Sequence, residues 1–459
     1  MNIPVKFKSL QLFLSGRVLL KEELTEFESV LEEADREGMV TIKAGVTEQN
    51  GKCVCNRCGN RTRSLFYKMP CARCGKECAY CRTCIRMGRV SACSSLYKWT
   101  GFCPQIEPSS LQWEGELSPA QQNAADKVVE AVVAKKNLLV WAVCGAGKTE
   151  ILFQGIEAAL QKGERVCVAT PRTDVVLELL PRLQEAFPDT TVVGLYGGSE
   201  DRHTFASLVV STTHQLYRFE KAFDTVIIDE VDAFPYTADE TLQQAVKKSQ
   251  KEISSTIYLT ATPNSTFQSK ARKGTLPSVQ IPARYHGHPL PVPTFYWIGN
   301  WKKVLQRKQI PHPLLKWINS RLQSETPVLL YFPHIKLMEE ALPLFKSLDP
   351  RIEAVHAEDP NRKEKVKAMR ERKTPMLLTT TILERGVTFP NLDVAILGAE
   401  ERIFTESALV QIAGRVGRSP VYPNGEVAFF HYGKTDEMVK AKKHIEKMNR
   451  LAKKEGYLL

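Results

Sequence analysis

No apolar run in the 459-residue chain reaches the roughly 18 residues that a membrane-spanning helix requires. The opening stretch Met1 to Ser15 lacks the unbroken apolar segment and small-residue cleavage site of a secretory signal, so neither spanning nor export is expected. Low-complexity tracts are also missing, and 26 Gly and 26 Pro are ordinary frequencies, which excludes a collagen-like or fibrous chain. Hydrophobic residues at 43% and charged residues at 25% exclude wholesale disorder. At roughly 100 to 200 residues per domain, the length predicts about three domains. Acidic residues are in deficit, 51 against 63 Lys and Arg, and the net +12 favours a polyanionic partner such as nucleic acid.

That deficit is local. Between Gly51 and Val90 stand ten basic residues (Lys52, Arg57, Arg61, Arg63, Lys68, Arg73, Lys76, Arg82, Arg86 and Arg89) against one acid, Glu77. The same stretch holds eight of the chain's 12 cysteines: Cys53, Cys55, Cys58, Cys71, Cys74, Cys78, Cys81 and Cys84. Residues 51–104 thus form a cysteine-rich basic module, too short and polar to build a core without a metal staple. Residues 1–50 read as a helical accessory segment, acidic over Lys21 to Gly38, with no chemical motif.

From Leu117 onward, apolar strand-like runs alternate with helical patterns. The runs are Asn137 to Val143, Arg165 to Ala169, Thr191 to Leu195, Leu208 to Ser211, Thr225 to Ile228 and Thr256 to Leu259. Such alternation marks βαβ units and a parallel sheet covered on both faces. A second series follows in Pro327 to Phe332, Ile352 to Val355, Met376 to Thr379, Val394 to Leu397 and Val427 to His431. The expected class is α/β, with one parallel-sheet domain over 105–285, a proline-dense linker over 286–312 and a second domain over 313–459. Arg362 to Lys373 reads as a solvated helix, Met438 to Leu451 as an amphipathic basic one, and His334 and His356 carry no role.

The run Asn137 to Val143 leads into Ala142-Val143-Cys144-Gly145-Ala146-Gly147-Lys148-Thr149, and a helix is predicted from Glu150. Strand, glycine loop and helix N-terminus in that order cradle phosphates, and Gly145 and Gly147 allow close backbone approach. Lys148 is expected to reach the β and γ phosphates of ATP and Thr149 to ligate Mg²⁺. Ala142 replaces the first glycine of the general pattern. The apolar run Thr225 to Ile228 ends in Asp229-Glu230-Val231-Asp232, acids at the carboxyl end of a parallel strand, where ligands bind. Asp229 is expected in the magnesium shell and Glu230 as the group that polarises the attacking water. Cys144 and Cys167 read as buried packing residues.

These residues resemble the superfamily 2 helicases and translocases, which implies two RecA-like domains in tandem. The likeness extends to Leu117-Ser118-Pro119-Ala120-Gln121, similar to an adenine-reading motif with Gln121 as contact. It implies nucleic-acid contacts at Pro171, Arg172, Gly198, Thr213 and Thr380, and coupling through Thr260 and Thr262. Thr379 to Gly386 resembles motif V, with Gly386 at the nucleotide, and Gln411 to Arg418 resembles motif VI. Arg415 and Arg418 would then neutralise charge on the transferring phosphoryl. Gln411-Ile412 and Thr388 depart from the RNA-helicase pattern. Together with the cysteine module ahead of the motor, the motifs resemble the ComFA family of late competence ATPases. That resemblance implies a cytoplasmic ATPase at the inner face of the membrane DNA channel, moving single-stranded DNA beside a ComFC-type protein and a DprA-type recombination loader. A replication-restart or RNA helicase, and a zinc-stabilised adaptor using ATP as a switch, are the alternatives.

Cys55-x₂-Cys58 and Cys81-x₂-Cys84 can each give two thiolates to one tetrahedral ion, and the resemblance implies Zn²⁺ on these four. Cys71-x₂-Cys74 has the same spacing, so a ribbon of Cys55, Cys58, Cys71 and Cys74 stays open, as does a second ion on Cys53, Cys71, Cys74 and Cys78. Basic side chains around Phe66, Tyr67 and Tyr80 suggest phosphate contacts with base stacking.

Overall fold

The architecture was obtained as a computed structural model that describes residues 3–49, 51–383 and 389–459. The amino-terminal region is built on strands β1 (Val18–Leu20), β2 (Val40–Ala44), β3 (Val46–Gln49), β4 (Lys52–Cys55), β5 (Phe66–Pro70), β6 (Glu77–Cys81), β7 (Val90–Ser91) and β8 (Ser95–Trp99). β8 lies between β1 and β2 and pairs antiparallel with both, so the end of the cysteine module completes a sheet begun before residue 50. Residues 1–50 are therefore not simply helical. The helix Glu28–Arg36 forms, but the short strands around it depend on a partner late in the module, which local periodicity does not reveal. β3 and β4 make a two-stranded pair, and β5, β6 and β7 a three-stranded antiparallel sheet.

The next sheet has seven strands: β9 (Leu138–Ala142), β10 (Val166–Thr170), β11 (Val192–Leu195), β12 (Leu208–Thr212), β13 (Phe223–Ile228), β14 (Gln250–Thr260) and β15 (Ser278–Ile281). Their order is β11-β12-β10-β13-β14-β9-β15, with β11 through β14 parallel. β10 and β13 are buried along their whole length, the pattern expected of central parallel strands covered on both faces. Asp239 caps the following helix Glu240–Ser249 by accepting the Thr241 N–H.

A second parallel sheet has six strands: β16 (Thr294–Trp297), β17 (Val328–Tyr331), β18 (Glu353–Val355), β19 (Met376–Thr379), β20 (Asp393–Leu397) and β21 (Val427–His431), in the order β16-β21-β20-β17-β19-β18. β16 and the helix Trp301–Gln306 occupy the stretch expected as linker. Pro289, Pro291 and Pro293 hide β16 from a pattern reading, although all three lie ahead of the strand and none interrupts it. The last helix runs Asp436–Lys454, capped by Thr435.

By contacts the chain divides into two units, one of residues 1–116, 123–140 and 149–279, the other of 117–122, 141–148 and 280–459. In the first, the cysteines 55, 58, 81 and 84 share a hydrophobic core with Val209, Val226, Ile228 and Leu242 of the motor, so the module is not a free appendage. Among the described residues no helix is long and apolar enough to cross a membrane.

Candidate nucleotide site and metal centre

In the first unit, β13 delivers Asp229 and Glu230 at its carboxyl end. The Asp229 N–H donates to the Ala169 carbonyl, holding the acidic turn to β10. Glu230 has φ +54, the left-handed region that non-glycine residues enter only when their surroundings impose it, and its N–H donates to Asp229 Oδ1 at 2.9 Å. Asp232 accepts from Thr260 Oγ1 at 2.6 Å and from Thr262 Oγ1 at 2.7 Å, joining the acidic loop to the expected coupling threonines. A pattern reading gave Asp232 no task; its place in the acidic tetrad was the available signal. Thr149 Oγ1 accepts from Arg182 Nη1 at 3.0 Å, and Arg182 also pairs with Glu150.

In the second unit, Gln121 is buried and its Nε2 donates to the Ala146 carbonyl at 2.9 Å, while its Oε1 accepts the Ser118 N–H at 2.8 Å. The glutamine therefore braces the phosphate loop. Ala142, Val143, Cys144 and Ala146 are buried, while Gly147 and Lys148 are half-buried and Gly145 is exposed. Gly145 and Gly147 have φ +81 and +69, the left-handed geometry that lets loop N–H groups converge on an anion. Cys144 does more than pack: its thiol donates to Gln411 Oε1 at 3.0 Å. A Cβ on Gly414 would stand 2.5 Å from Cys144 Cβ, so only glycine lets the motif VI helix end approach the loop this closely.

Arg284 was not anticipated. It is buried, donates to the carbonyls of Gly417 and Gly414, and its stem lies 3.6 Å from where a Gly145 Cβ would be. Burial lowers its pKa to about 10, with the charge of Arg418 adding to the effect. No glycine or acid neighbour marks Arg284 in the sequence. Arg415 is buried, and Arg418 is half-buried with its Nε donating to the Gly414 carbonyl at 3.0 Å. Gly386 falls within 384–388, outside the described residues.

The expected nucleic-acid contacts separate by exposure. Gly198 is exposed, and Arg172 is half-buried and bidentate to Asp174 at 3.0 and 2.7 Å. Thr380 is half-buried at the end of β19. Thr213 is fully buried and Pro171 is buried, so neither side chain offers a surface to a strand. Gly197 and Gly198 line a cavity of about 420 Å³ of mixed charge, together with Arg202, Arg218, Arg17 and, from the cysteine module, Arg86, and with Glu22, Glu23 and Glu26.

The sulfurs of Cys55, Cys58, Cys81 and Cys84 lie within 4.8 Å of one another and all four residues are buried. This resolves the ribbon alternative, because Cys71 and Cys74 fall in a different group. Asn60 Nδ2 donates to Cys81 Sγ at 3.7 Å. Hydrogen bonds from Cys55, Cys58 and Cys84 hold the Cys81 thiol low, while hydrogen bonding to Cys55 pushes Cys58 and Cys84 up. A tetrahedral dication fits this donor set, and four thiolates would close its coordination as in a structural zinc site. Arg57, one of the ten basic residues, is fully buried beside it and paired with Glu23 at 3.3 Å, so it adds nothing to a basic surface. Its carbonyl accepts from Lys248 of the motor helix, whose pKa burial lowers to about 8.

The Competence protein ComFA N-terminal domain model matches residues 5–98, the Type III restriction enzyme res subunit model 114–265, and the Helicase conserved C-terminal domain model 311–420. Competence protein ComFA of Bacillus subtilis (strain 168) is 49% identical over 460 residues, covering 99% of this chain and 99% of that protein. Its counterpart in Streptococcus pneumoniae (strain R6) is 38% identical over 442 residues, covering 95% of this chain and 98% of the other. Among solved structures, S. cerevisiae Dbp5 bound to RNA and ADP BeF3 matches with a TM-score of 0.51 at 15% identity, over 72% of this chain and 91% of that one, a likeness of fold alone.

Proposed function

Because the chain belongs to the ComFA family of competence proteins and carries superfamily 2 helicase domains of the ATP- and magnesium-using type, we propose that it is an ATP-driven single-stranded DNA translocase that draws transforming DNA into the cytoplasm. Lys148 and the loop N–H groups hold the phosphates, Thr149 and Asp229 hold the magnesium ion, and Glu230 polarises water. Arg415 and Arg418 offset the charge that develops on the transferring phosphoryl. Magnesium, when bound, supplies Lewis-acid neutralisation of the phosphate oxygens. Asp232 passes the state of the acidic loop to Thr260 and Thr262.

The observation that carries the DNA reading is the cavity shared by Gly197, Gly198 and Arg86, where a motor motif and the cysteine module bring Arg17, Arg86, Arg202 and Arg218 together beside Glu22, Glu23 and Glu26. Arg86 and Arg202 in that lining would contact phosphates and the exposed Tyr67 ring would stack on bases, which gives the zinc module a guiding role. A ComFC-type protein, a DprA-type loader and the membrane channel would be its working partners at the inner membrane face. Steady-state ATP hydrolysis with and without single-stranded DNA tests the proposal. Strong stimulation is expected; hydrolysis indifferent to DNA would favour an adaptor that uses ATP as a switch, and equal stimulation by RNA would favour a general helicase.

A further inference from the structure

Four cysteines outside the first quartet also meet. The sulfurs of Cys71, Cys74, Cys78 and Cys93 lie within 4.8 Å of one another, and Cys71 and Cys93 stand 3.7 Å apart. Cys93 lies outside the Gly51 to Val90 stretch and has no x₂ partner, which is why spacing suggested Cys53 instead. Cys53 packs against the core of the first unit. Cys93 sits in the turn between β7 and β8 and is brought to the group by the fold.

The backbone around Cys71 repeats that of the first site's leading turn. The Cys55 N–H donates to the Asn60 carbonyl at 3.0 Å, and the Gly59 N–H to the Cys55 carbonyl at 2.9 Å. The Cys71 N–H donates to the Lys76 carbonyl at 3.0 Å, and the Gly75 N–H to the Cys71 carbonyl at 2.8 Å. Both turns read Cys-x-Arg-Cys-Gly, and both glycines are left-handed, at φ +76 and +68. The same sequence folds the same way because the fifth position must take a positive φ to close the turn over the sulfurs. β6 joins the two groups. Side chains alternate along a strand, so Cys78 and Cys81, three residues apart, face opposite sides, one toward each quartet.

We infer that Cys71, Cys74, Cys78 and Cys93 hold a second zinc ion. Four sulfur donors at one point select a soft tetrahedral cation, and four thiolates leave no open position, so the ion is structural. It fastens the β5–β6 turn to the loop entering β8, and through β8 to the sheet that β1 and β2 complete. A packing role does not account for the group, since Cys74 and Cys93 are partly exposed. The inference is independent of the translocation proposal.

The test is zinc stoichiometry by elemental analysis of the full-length chain purified under reducing conditions. Two ions per chain are expected, falling to one in Cys93→Ser and, separately, to one in Cys55→Ser. One ion in the unsubstituted chain, unchanged in Cys93→Ser, would overturn the inference, as would iron in place of the second zinc. A count of free thiols in denaturant that falls by two without a second ion would instead mean a Cys71–Cys93 disulfide, and would equally overturn it. Should Cys93→Ser aggregate, cobalt titration of the metal-free native chain decides: thiolate–cobalt absorbance rising to two equivalents supports the site, and a break at one refutes it.

Discussion

Arg57 is the sharpest place to separate a structural cation from a DNA-binding one. Its side chain is 0% exposed, pairs with Glu23 at 3.3 Å, and donates through Nη1 to the Gly88 carbonyl at 3.3 Å. Breaking a buried ion pair costs about 3–5 kcal/mol when the survivor is stranded. Here Glu23 keeps Arg218 at 2.7 Å and is 23% exposed, so Arg57→Ala should cost less, about 2–3 kcal/mol. For a unit of this size that is a fall of roughly 4–12 °C in the midpoint of its unfolding transition. Exposed Lys68, paired with Glu48 at 3.7 Å, is the control, and Lys68→Ala should change stability by about 0.5 kcal/mol or less. Thermal unfolding by circular dichroism, run beside single-stranded DNA affinity at several salt concentrations, reads both quantities. An Arg57→Ala protein with an unchanged midpoint and a shallower salt dependence would refute the burial argument, because only a phosphate contact behaves that way.

Lys148→Ala and Glu230→Gln should each abolish ATP hydrolysis, with the glutamine variant still binding nucleotide in a fluorescent-analogue assay. Cys55→Ala should lose one zinc per chain and lower the unfolding midpoint, since ligand binding and folding are linked; an unchanged zinc content would refute the first site. Tyr67→Ala should weaken single-stranded DNA binding by about 1–3 kcal/mol with no change in midpoint, the ring being exposed on β5. Gly414→Ala should slow hydrolysis sharply, because the added methyl would stand 2.5 Å from Cys144 Cβ, and Cys144→Gly in the same chain should restore part of the rate.

How much could be read in advance followed from the range of the forces involved. The fully buried parallel strands were legible because burial on both faces demands continuous apolar runs such as Val226 to Ile228 and Leu377 to Leu378. The phosphate loop was legible because an anion cradle needs glycine at fixed offsets from a lysine. β1, β2 and β16 were not, since short strands take their stability from partners far along the chain.

Chemistry confined to one turn or strand end was thus written in residue order: Lys148 after its glycines, Asp229 and Glu230 after β13, each cysteine pair at its own spacing. Which distant groups share a site was not, because side chains separated by many residues meet through packing that no local pattern encodes. Spacing left the partners of Cys55 and Cys58 open and the family resemblance pointed to Cys81 and Cys84; the fold brings those two to them rather than Cys71 and Cys74, and draws Cys93 to the remaining thiols. It also turned Arg57 inward, set Asp232 against Thr260 and Thr262, and laid Arg284 across the carbonyls of Gly414 and Gly417.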